Sequence, residues 1–170
     1  MAGAIATGPI VVGARLSQHE SVIEVASSLA QRLGTNLVCV WVDEAQIPVG
    51  HRDDGSEILE YIDPDVAEEN PPALDRELRL RISGIAARYD VSLRLEARAG
   101  NPDHTLATIA EEENASLIVV GTQDGGVRRA VHDFFNGSVA AHLAHRQHRP
   151  VVVVPIDPVG FDQPLPWEPA

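Results

Sequence analysis

The residues best suited to chemistry lie between Leu117 and Pro155, in the stretch LIVVGTQDGGVRRAVHDFFNGSVAAHLAHRQHRPVVVVP. An apolar run, Leu117 to Val120, meets Gly121. A polar loop holding Gly125 and Gly126 follows, and Gly137-Ser138 then opens a helical pattern. Strand, glycine-rich loop and helix start together present backbone N–H groups to an anion. Gly137 would let the backbone approach a phosphate, and the hydroxyl and N–H of Ser138 can donate to it. Arg15, Arg128 and Arg129 are able to add charge-assisted bonds. The competing reading is a tight turn that packs helix on sheet and holds nothing.

Other constellations carry less chemistry. His142, His145 and His148 recur at helical spacing, and histidine binds zinc. No cysteine or carboxylate lies near them in sequence, and Arg146 and Arg149 sit among them, so they read as polar groups favouring a helix C-terminus. No metal site is expected. Asp103-His104 reads as a solvated surface pair rather than an acid–base pair. Ser138 has no orienting partner and no nucleophile-elbow context. The chain has 13 arginines and no lysine, so it lacks a Walker lysine. No catalytic residue is assigned.

These groups need a scaffold, and 170 residues with 44% hydrophobic content suffice for one domain with a core. A formal net charge of −12 argues against nucleic acid or an anionic membrane as partner. No apolar run approaches the roughly 20 residues of a membrane helix, and MAGAIATGP lacks the features of a signal peptide. A cytoplasmic protein is expected. The single cysteine, Cys39, lies in an apolar strand pattern and reads as a buried thiol.

In chain order, Pro9 to Gly13 is a buried first strand. Ser17 and Glu20 form a capping-box pattern, and Val22, Ile23, Ala26, Leu29, Ala30 and Leu33 then follow helical spacing up to Gly34. Leu37 to Val42 is the second strand. Residues 43–70 hold ten acidic side chains and one arginine, and read as a surface insertion with a short helix around Glu57 to Tyr61. Pro71-Pro72 opens the next helix, and Leu74, Leu78, Ile82, Ile85 and Ala86 line its face. Val91, Leu93, Leu95 and Ala97 alternate as a half-exposed edge strand. A third helix carries Leu106, Ile109 and Ala110 and ends near Asn114. Leu117 to Val120 and Val151 to Val154 are the last two strands. Five strands alternating with four helices predict an α/β fold: a doubly wound parallel sheet with helices on both faces. Ligands of such sheets bind beyond the carboxyl ends of the strands, here near Gly13 and Gly121. The proline-rich tail, residues 156–170, carries Phe161 and Trp167 and is expected to dock on a surface.

Three segments carry a family resemblance: IVVGARLS, AGNPDHTLATIAEEENASLIVVGT and NGSVAAHLAHRQHRPVVVVP. Over roughly residues 8–155 the chain resembles the universal stress protein family, and residues 1–155 are expected to form that domain. The resemblance implies strand order 3-2-1-4-5 and a homodimer paired through Val151–Val154. It also implies a role in stress response, with ATP or another adenine nucleotide (ADP, AMP) between the first and fourth strands. The family's binders resemble G-x2-G-x9-G-[ST], with an aspartate after the first strand. The first glycine falls on Gly121 and the final pair on Gly137 and Ser138. Asp124 occupies the second glycine position, with Gly125 or Gly126 as substitutes. Arg15 stands where the aspartate would be, and Trp41 stands about where a smaller residue meets adenine. Gly13, Arg15 and Trp41 would line the base and ribose, and Gly121, Gly125, Gly126, Arg128, Gly137 and Ser138 the phosphates. The alternative is a dimeric interaction module without nucleotide, working through 43–70 or 156–170, with Trp41 and Phe134-Phe135 filling the pocket. A slow ATP hydrolase is the weakest reading.

Overall fold

In the computed structural model of the chain, the described residues are 7–15, 20–54, 57–62, 76–122, 139–156, 158 and 160–162. The first strand, β1 (Ile10–Ala14), lies at the centre of a five-stranded parallel sheet. It is flanked by β2 (Leu37–Asp43) on one side and β6 (Leu117–Gly121) on the other. Outside them lie β5 (Leu93–Ala99) beside β2 and β7 (Val151–Val154) beside β6. The order β5-β2-β1-β6-β7 is 3-2-1-4-5 when only these five strands are counted, as the resemblance implies. The order reverses between β1 and β6, and the crevice of a doubly wound sheet forms at such a point.

The central strands are continuous apolar runs because both of their faces are covered. Alternate residues supply two cores. Ile10, Val12, Leu37, Cys39, Leu117 and Val119 pack with Val22, Ile23, Ala26 and Ala30 of α1 (Glu20–Leu33) and Leu78, Ile82 and Ile85 of α2 (Arg76–Arg88). Val11, Val38, Val40, Ile118 and Val120 pack with Leu106, Ile109 and Ala110 of α3 (Pro102–Glu112) and Leu143 of α4 (Val139–Arg146).

The helix ends follow local chemistry. α1 stops at Gly34, whose φ of +64° suits glycine, while the Thr35 N–H reaches back to the Ala30 carbonyl at 3.0 Å, as in a Schellman ending. α3 starts with Pro102 in its first turn and Asn101 as N-cap. It gives way to Asn114 at φ +48°.

The acidic stretch departs from expectation. Glu57–Tyr61 is a strand, β4, paired antiparallel with β3 (Gln46–His51), and not a helix. Five residues, EILEY, suit either period, and pairing with a segment several residues earlier decides the matter. β3 contains Pro48, and the register shifts between Pro48 and Gly50, as a strand accommodating proline tends to do. The proposed capping box at Ser17, the helix start at Pro71-Pro72 with Leu74, and Trp167 of the tail lie outside the described residues.

Candidate functional site

At the carboxyl end of the sheet, a crevice opens on the face carried by α3 and α4. Its floor is Gly13 of β1. A Cβ there would come 3.1 Å from Cδ1 of Leu106, so a larger residue would begin to fill the gap. Val40 and Val42 of β2, Val120 of β6 and Pro102 and Leu106 of α3 form apolar walls. Gly121 and Thr122 border it on the β6 side, with Val139 at the start of α4 and Ile156 just past β7. Thr122 Oγ1 accepts from the Ile156 N–H at 2.9 Å, and the Thr122 N–H donates to the Val154 carbonyl at 2.9 Å. That rim is therefore tied down from two sides. The crevice has a cavity volume of about 70 Å³, or about 610 Å³ when all empty space out to open solvent is included. One water needs only about 10–15 Å³ on the first measure. A larger ligand would lie across the mouth, partly sunk between the walls.

The remaining rim is charged. Arg15 and Glu44 both line the crevice and form an ion pair, Nη2 to Oε1 at 2.6 Å, with about half of each side chain exposed. Glu44 belongs to the turn between β2 and β3. That turn is fixed by the Ala45 N–H donating to Asp43 Oδ1 at 2.9 Å and the Gly100 N–H donating to the Asp43 carbonyl at 3.0 Å. The sequence singles out Arg15 but not Glu44, which is one of ten acids in its stretch. The available signal was its place directly after β2.

Of the residues assigned from sequence, the structure brings Gly13, Arg15 and Gly121 to one crevice. Trp41 requires a correction. It packs against the core of α1 and α2, on the far side of the sheet from Val40 and Val42. Successive residues of a strand point to opposite faces, so its indole neither stacks in this crevice nor plugs it. Gly125, Gly126, Arg128, Gly137 and Ser138 lie outside the described residues, as do Asp124, Arg129 and Phe134-Phe135.

The Asp103-His104 reading is also corrected. Asp103 is buried, and its Oδ2 lies 3.0 Å from Nδ1 of His142 on α4. Asp103 follows the crevice residue Pro102, so this pair clamps α3 to α4 beside the opening. The first turn of α3 is already satisfied, since Asn101 Oδ1 accepts from the N–H groups of Asp103 at 3.1 Å and His104 at 3.5 Å. With a carboxylate buried in it as well, that turn is a poor place for an anion.

Of the three histidines read as helical, His148 lies beyond α4, which ends at Arg146. Among the described residues, no group of three or more histidine, cysteine or acidic side chains is placed to hold a metal ion. Arg149 does not serve a helix end. It is buried, donating through Nε to the Ala115 carbonyl at 3.1 Å and through Nη1 to Glu111 Oε2 at 2.6 Å. The hydrogen bond and charge of Arg149 hold the Glu111 carboxyl below its ordinary pKa. Burial pushes the Cys39 thiol up to about 12, which leaves it protonated and inert. No described helix is long and apolar enough to cross a membrane.

A family model of the universal stress proteins matches residues 7–155. No curated protein matches the sequence. Among solved structures, the chain is similar to universal stress protein UspA from Lactobacillus plantarum, with 22% identity and a TM-score of 0.63 over 89% of this chain and 99% of that one. It is similar to a universal stress protein in complex with cAMP, with 22% identity and a TM-score of 0.59 over 89% and 99%. A third, the universal stress protein from Archaeoglobus fulgidus in complex with dAMP, shares 20% identity with a TM-score of 0.54 over 86% and 97%. At these identities the likeness is one of fold.

Proposed function

The chain belongs to the universal stress protein family, and we propose that it is a binding module of the stress response that holds an adenine nucleotide across the carboxyl end of its sheet. The observation that carries this reading is the crevice over Gly13, placed where the strand order reverses and kept open by the missing side chain. Relatives of the same fold hold cAMP and dAMP. The base would lie in the apolar slot between Val40 and Val42 on one side and Pro102 and Leu106 on the other. The phosphates would lie toward Gly121 and Val139, where the motif residues Gly125, Gly126, Arg128, Gly137 and Ser138 follow in sequence. No residue is assigned to hydrolysis, and the nucleotide acts by its occupancy.

Binding to the native state alone must raise its stability, by about 2.7 kcal/mol at a hundredfold excess over Kd. For a chain of this size, that is roughly 5–10 °C in melting temperature. Melting curves with millimolar ATP, ADP, AMP and cAMP test the reading, and four unshifted curves would sink it.

A homodimer through β7 is part of the same proposal. β7 is an edge strand of four valines, and Val153 is substantially exposed. The opposite edge, β5, is guarded by Arg94, Glu96 and Arg98, linked at 3.0 and 2.8 Å. Charged edges resist pairing and bare ones invite it. Val153→Arg should turn a dimer into a monomer in sedimentation velocity. A wild-type monomer at micromolar concentration would refute the arrangement.

A further inference from the structure

We propose that Glu44 reads the sugar of the bound nucleotide, accepting from its 2′- and 3′-hydroxyls, and that Arg15 is the residue positioning that carboxylate. The site then selects ribonucleotides over 2′-deoxyribonucleotides. This inference rests on the nucleotide reading given above.

The crevice has two unlike ends. Its apolar slot lies between β2 and α3, and its glycine-bordered end lies at β6 and α4. A nucleotide with its base in the slot and its phosphates at the glycine end must carry its sugar across the end of β1. The side chains that meet it there are Arg15 and Glu44. An ionised carboxylate is acceptor-only, with two oxygens and about four lone-pair sites. Arg15 engages Oε1, which leaves acceptor capacity on the group. What faces Glu44 must therefore bring hydrogen-bond donors and must not bring negative charge. That excludes the phosphates and favours neighbouring hydroxyls, of which a ribose has two. In doubly wound sheets generally, an acidic residue beyond an early strand is well placed to take ribose hydroxyls.

Both members of the pair are held ready. The turn bearing Glu44 is pinned by the two hydrogen bonds to Asp43, one from its own turn and one from Gly100 at the end of β5. Arg15 follows directly on the central strand, and its guanidinium sits 2.6 Å from the carboxylate. The pair is half exposed, so it contributes little to folding. Its orientation is then available for recognition.

The test compares 5′-AMP with 2′-deoxy-5′-AMP by calorimetric titration of the full chain. Loss of one hydrogen bond to a charged acceptor predicts about tenfold weaker binding of the deoxy form. Glu44→Gln should collapse that ratio toward unity, with the melting temperature of the ligand-free protein unchanged. Arg15→Gln should narrow the ratio as well, because the carboxylate loses its orienting partner. Equal affinities for the two nucleotides in the wild type, or an undiminished ratio in Glu44→Gln, would overturn the inference and leave the nucleotide reading standing. If neither nucleotide binds, the nucleotide reading itself fails, and the sugar contact falls with it.

Discussion

The two faces of the sheet share the same five strands and end differently at the carboxyl edge. On the face of α1 and α2, the core runs through Val12 and Cys39 out to Trp41, which packs against it. On the face of α3 and α4, the core runs through Val11 and Val38 to Val40, but the β1 position paired with Val40 is Gly13, which has no side chain to fill it. One face is filled by the largest residue in the region and the other is opened by the smallest. Since strand neighbours alternate, the indole that could have blocked a ligand faces away from it. A bulky residue near a candidate site therefore says little until its parity along the strand is known.

The largest effect should separate the faces by stability. Leu37→Ala leaves a sealed cavity in the core beneath α1 and α2, where Leu37 is fully buried, and should cost about 2–4 kcal/mol. Leu106→Ala widens a space already open to water, so its loss in urea unfolding should be clearly smaller. Equal losses would mean that the crevice is closed in solution.

A second pair of substitutions compares ligand binding. Gly13→Val places methyl groups where Leu106 already stands 3.1 Å from a Cβ position. It should abolish the nucleotide-dependent rise in melting temperature and cost about 1–3 kcal/mol by overpacking. Trp41→Phe should leave nucleotide affinity unchanged. A Trp41→Phe variant that lost binding while keeping its unfolding free energy would return the indole to the site.

The smallest effect concerns Cys39 on the closed face. With its thiol pKa raised to about 12 by burial, the native protein should not react with a disulfide reagent near pH 8, where an ordinary thiol does. Full reaction should appear only in denaturant. Rapid labelling of the native chain would mean that this core opens readily.

Much of the scaffold was legible in the residues because it rests on local signals. The apolar runs at β1, β2, β6 and β7 are short and bounded by turns, and α1 and α3 carry period, caps and stops in their own letters. The pairing of β3 with β4 was not legible, since EILEY suits a strand or a helix equally. Glu44, the Asp103–His142 clamp and the seat of Arg149 were missed for one reason. Each joins residues distant in the chain, and a charged letter does not state its partner. Asp103 beside His104 looked like a surface pair, and only the packing of α3 on α4 buries the carboxylate and supplies His142.

The run of residues was enough for the alternation of the five strands of the main sheet with helices, for the family, and for the glycines at the ends of β1 and β6. These depend on period, chirality and turn chemistry, which act over a few residues at a time. The face on which the crevice opens, the turning of Trp41 away from it, and the meeting of Arg15 with Glu44 across its mouth came from the packing of the folded chain. Those facts depend on register between strands and on side chains arriving from separate segments. Chain connectivity constrains such meetings weakly, and packing settles them.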